Sequence, residues 1–127
     1  MIEFKRQNVD PARMPQSLVE KWSPATLDEG FVPFPKKLLR AMHRLFIGVD
    51  STKDIAALLA IVDFRRPNVT RRPSLAYLAF VSGLDEEQFR AALNRLEALG
   101  YIRVGGDFEG LDISLSGLLD AVERESK

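Results

Sequence analysis

The 127-residue sequence contains no cysteine and only one histidine, His43. The first absence excludes disulfides and thiolate metal ligands. The second excludes a His-rich zinc site or a cluster of imidazole bases. No apolar run has the length of a signal peptide or a membrane span, so a soluble cytoplasmic protein without membrane contact is expected. There is no paired His and carboxylate, no Gly-rich phosphate loop and no nucleophile motif, so neither an enzyme nor a cofactor is expected. The chain also lacks net charge, with 18 basic and 18 acidic residues.

That balance is uneven along the chain. Residues 36–103 hold 12 basic and 7 acidic residues, whereas residues 105–127 hold 2 basic and 6 acidic. A basic body with an acidic tail is compatible with nucleic acid meeting one face. The length and a hydrophobic share of 46% suit one globular core.

Residues 1–34 carry Pro11, Pro15, Pro24 and Pro33 and read as an extended arm. A short helix is expected at Gln16–Trp22, with Trp22 docking on the body. Residues 35–127 read as the folded domain. Pro35 opens a helix whose Leu38, Leu39, Met42, Leu45 and Phe46 mark a buried stripe. His43 lies off that stripe, as a passive surface residue. Ser51 and Asp54 have capping-box spacing at the head of the next helix. Ile55, Leu58, Leu59 and Val62 form its inner face, and Pro67 ends it near Phe64.

The segment FRRPNVTRRP holds Arg65, Arg66, Arg71 and Arg72 around a turn. It reads either as a phosphate clamp or as a solvated loop. Ser74 then caps a helix with Leu75, Leu78 and Ala79 inward, and Gly83 ends it. Leu84 fills the turn. Asp85 and Gln88 form a second capping box, followed by Phe89, Ala92, Leu93, Leu96 and Leu99 as the inner face. Gly100 stops that helix. YIRV and LDISL alternate on either side of GGDFEG, which predicts a β-hairpin with Phe108 at its tip. Ser116 is placed to cap a final helix with Leu118, Leu119 and Val122 as an apolar strip. The expected fold is mainly α with a small β-hairpin (α+β), in the order of a winged helix-turn-helix.

Residues 83–102, with Phe89 as apolar anchor and Arg95-Leu96-Glu97 before Gly100, resemble the second helix and exit of MarR-type winged-helix regulators. Ile113 to Gly117 is similar to the strand-to-helix exit of the same group. Leu27-Asp28-Glu29-Gly30-Phe31, the leucine-rich helix from Pro35 and Ala57–Val62 followed by Arg65-Arg66 resemble phage replication-initiator O-type N-terminal domains. The resemblance spans about residues 27–104. It implies DNA binding in transcriptional regulation or replication initiation, on a plasmid, phage or chromosome, with double-stranded DNA as partner.

On that reading Arg65, Arg66, Arg71, Arg72, Ser74 and Arg103 hold phosphates, while Gln88, Arg90 and Asn94 read base edges. A homodimer paired through its terminal helices would present two half-sites. Two features depart from the pattern. Asp85, Glu86 and Glu87 occupy the start of the reading helix, and Ala91 stands where MarR-type proteins often carry a base. The hairpin tip has Asp107 and Glu109 but no Lys or Arg. Arg95 is free to pair with Glu97 or the hairpin. The alternative is a winged helix that binds a protein through its acidic helix and wing.

Overall fold

Pro15 precedes the first helix and Pro35 the second, and each leaves the backbone extended just before the helical turn begins. A computed structural model of the chain describes residues 13–27, 32, 34–64, 72–107 and 110–125. Among these residues there are six helices and one two-stranded antiparallel sheet, a mainly helical α+β arrangement. The chain divides into two compact units, Met1–Val32 and Pro33–Lys127. No described helix is long and apolar enough to cross a membrane.

The first unit holds α1 (Gln16–Trp22), which buries none of its residues. Within this unit Trp22 is 51% exposed, and Lys21 Nζ stands 5.7 Å from its ring centre.

The second unit contains α2 (Lys36–Leu45), α3 (Ser51–Phe64), α4 (Leu75–Ser82), α5 (Glu86–Ala98), β1 (Arg103–Asp107), β2 (Gly110–Ser114) and α6 (Ser116–Glu125). Helices α3, α4 and α5 pack pairwise, and α2 packs on α6. Phe89, Leu58, Ile61, Leu78, Leu96 and Leu118 are the largest fully buried side chains. The stripes expected on α4 and α5 meet there. Leu39, Leu99 and Leu119 depart from expectation, at 55%, 54% and 58% exposed. Each lies at the margin of its apolar stripe, where a helix turned to bury the centre leaves the edge in water.

Two caps shift by one residue. Asp54 N–H donates to the Asp50 carbonyl at 3.0 Å, so Asp50, not Ser51, stands before α3. At α6 the corresponding residue is Leu115, whose carbonyl accepts from Leu119 N–H, while Ser116 N–H donates to the Ser114 hydroxyl. Gly83 closes α4 as expected, left-handed at φ 79°.

The hairpin is longer than its turn-forming residues suggested. β1 begins at Arg103, beyond Tyr101 and Ile102, and runs through Gly105 and Gly106 to Asp107. The pairs Gly105↔Asp112 and Gly106↔Leu111 continue the ladder. Backbone pairing with β2 outweighs the weak strand preference of glycine. Tyr101 donates its hydroxyl to the Leu45 carbonyl at 2.7 Å and meets the Phe46 ring edge-on. Burial, and then the Glu125 carboxylate, raise its pKa, which keeps the phenol a donor.

Truncation should separate core from margin. Phe89→Ala is expected to cost about 3–5 kcal/mol in urea denaturation. Leu99→Ala should stay within about 0.5 kcal/mol of wild type. Equal losses would contradict the burial assigned to these two positions.

Candidate nucleic-acid interface

The head of α5 is built by a reciprocal pair. Gln88 N–H donates to Asp85 Oδ1 at 2.7 Å, and Asp85 N–H donates to Gln88 Oε1 at 3.1 Å. This is the capping box that the spacing predicts. It has a consequence for the expected base reader. Gln88 is half-buried and its amide oxygen is engaged by the backbone. Its first role is therefore structural.

The outward side of α5 carries Glu86, Glu87, Arg90 and Asn94, all exposed. Arg90 and Asn94 are one turn apart and share that side. The two glutamates sit at the positive end of the helix dipole, which favours them locally. They also leave the first turn acidic toward any approaching phosphate.

Arg95 takes a different partner from either one expected. Its Nε donates to Asp54 Oδ1 at 2.8 Å, and its Nη2 lies 2.8 Å from the same oxygen. Nη1 stands 3.7 Å from Asp50 Oδ2. Asp54 is buried, and its carboxylate faces α5 rather than completing a cap on α3. Desolvated in this way, it needs a cation, and Arg95 supplies it. Sequence reasoning missed the pair, although a signal was present. Asp54 falls in register with Leu58 and Ile61 on the inner stripe, where an acid requires a base opposite.

Glu97 is also engaged. Its Oε2 accepts from Val104 N–H at 2.9 Å, which ties β1 to the last turn of α5. Arg103, exposed at the start of β1, rims an open depression of about 390 Å3 that Glu97 and Asp120 also line. On the other strand, Leu111 N–H donates to the Pro73 carbonyl at 2.8 Å. The segment leading into α4 is therefore held against β2. The approach is close, since a Cβ on Gly110 would fall 2.5 Å from Arg72 Cβ. Arg72 is exposed, as is Ser74, whose hydroxyl oxygen accepts from Tyr77 N–H at 3.0 Å and caps α4.

The hairpin thus brings Arg72 and Ser74 beside β2, with Arg103 at the base of β1. Arg90 and Asn94 share the outer side of α5. Arg65, Arg66 and Arg71 lie outside the described residues, as do Phe108 and Glu109. Among the described residues no group of three or more His, Asp or Glu side chains could hold a metal ion. No family model, curated protein or solved structure matches the chain.

The Asp54–Arg95 contact can be measured with a double-mutant cycle using Asp54→Ala and Arg95→Ala. We expect a coupling of about 1–3 kcal/mol. Additive losses would mean that the two groups do not interact. Gln88→Ala should cost roughly 0.5–1.5 kcal/mol by removing the acceptor for Asp85 N–H.

Proposed function

We propose that the chain is a DNA-binding protein of the winged helix-turn-helix type, acting in transcriptional regulation or replication initiation. The observation that carries this reading is the bracing of the hairpin beside α4 and α5. Glu97 holds β1 and Pro73 holds β2. A helix, a tight turn, a second helix and a hairpin tied to both ends of that pair form the arrangement a winged helix uses to address duplex DNA.

In this proposal Arg90 and Asn94 meet base edges, because both are exposed on α5 and neither serves a cap. Arg72, Ser74 and Arg103 contact phosphates, and Arg65, Arg66 and Arg71 extend that contact. Gln88 contributes by fixing the start of the reading helix. Pairing of two copies through their terminal helices would set two half-sites at a fixed separation.

One observation favours a second reading, a protein-binding winged helix. Glu86 and Glu87 are exposed, and among the described residues neither makes an ion pair. Such an acidic helix start suits a basic protein surface.

A mobility-shift titration with duplex DNA over increasing salt distinguishes the two. Binding that weakens steeply with salt supports the DNA reading. No binding at low salt favours the protein partner. Within the DNA reading, Arg90→Ala is expected to lower discrimination at one base pair by about 1–3 kcal/mol. Arg103→Ala should weaken all sequences alike. An unchanged preference for Arg90→Ala in a randomised-site selection would remove its reading role.

A further inference from the structure

The one-sided charge of α2 is only partly used in the fold. Its sequence, KKLLRAMHRL, contains three kinds of basic side chain and no acid. Leu38, Ala41 and Leu45 point into the core, so Lys36, Arg40 and His43 fall along the opposite, exposed side. Lys37 and Arg44 flank them and reach α6. Lys37 Nζ is 3.8 Å from Glu123 Oε1, and Arg44 Nε is 3.2 Å from Glu125 Oε2. These exposed pairs are weak and screened. They account for the two flanking cations only. Among the described residues Lys36, Arg40 and His43 make no ion pair.

A surface needed only for solubility mixes both signs of charge. Here the chain as a whole is neutral, yet every charged residue on the exposed side of α2 is basic, with Leu39 exposed beside them. Lys36 and Lys37 also occupy the first turn, where the helix dipole disfavours cations; Glu123 of α6 offsets Lys37, and the turn itself holds no acid. The pairs with α6 account for Lys37 and Arg44 but not for Lys36, Arg40 and His43, whose placement suits attraction to a polyanion.

We propose that α2 is a second, sequence-independent contact to the DNA phosphate backbone, made by Lys36 and Arg40 with His43 as an added donor. The inference rests on the DNA-binding reading and adds an element to it. Lys36 to His43 covers about 10 Å of helix. That is the axial rise of about three phosphates along one strand. The proposal assigns Lys36 and Arg40 to phosphates and not to base edges. Its contribution is affinity and orientation.

The test compares the full chain with Lys36→Gln/Arg40→Gln. Both positions are exposed and glutamine keeps helix propensity, so the thermal melt should match wild type. The probe is a labelled random-sequence duplex, titrated at several salt concentrations. Loss of two phosphate contacts should reduce the slope of log affinity against log salt by about 1.8. Site preference should stay unchanged. Wild type binding with the same slope as the variant overturns the proposal for α2 and leaves the DNA reading intact. No binding by wild type at low salt overturns both. A variant that loses self-association in sedimentation while its slope is unchanged makes α2 an interface between copies, which also overturns the proposal.

Discussion

Arg95 bound to Asp54 is the contact on which the outward chemistry of α5 depends. A buried carboxylate on α3 must be neutralised, and the guanidinium that does so comes from the helix expected to face DNA. The pair fixes the rotation of α5 about its axis together with the burial of Phe89, Ala92, Leu93 and Leu96. Once that rotation is set, Arg90 and Asn94 are the polar groups left outside, with Glu86 and Glu87 beside them. The electrostatic character of the face therefore follows from a packing requirement on its hidden side.

The same economy of polar groups runs through the adjoining elements. Asp85 and Gln88 satisfy each other's backbone donors, and Glu97 satisfies that of Val104. The acids around α5 thus differ in role. Asp85 and Glu97 hold structure, while Glu86 and Glu87 remain exposed and shape what can approach. On the proposed DNA reading, a face of this kind would meet a phosphate backbone through cations at its edges and not through its centre. Arg72 beside β2 and Arg103 at the base of β1 are such edge cations.

Much of the fold was legible in the sequence, because capping residues and apolar spacing carry it locally. The span of α1 and the Asp85–Gln88 box follow from those signals, as do the inward residues Leu78, Ala79, Phe89 and Leu96. The larger misses share one physical origin, the dependence on partners distant in sequence. Leu39, Leu99 and Leu119 match helical periodicity, but no neighbour covers them. Gly105 and Gly106 look like a turn until β2 pairs with them. Asp54 looks like a cap until α5 brings Arg95 to it. The candidate site was less legible than the fold. Exposed residue types suggested its members, but the local capping box sets Gln88 apart from Arg90 and Asn94, and the tertiary contact to Asp54 sets Arg95 apart.

The most direct measurement of the central claim is an NMR titration of the isotope-labelled chain with duplex DNA, following backbone amides residue by residue. The account predicts shifts concentrated at Arg72–Ser74, Arg90–Asn94 and Arg103, with Lys36–His43 of α2 as the secondary contact and the buried contact of Asp54 to Arg95 intact. Shifts absent from Arg72–Ser74, Arg90–Asn94 and Arg103, or confined to α6, would contradict it.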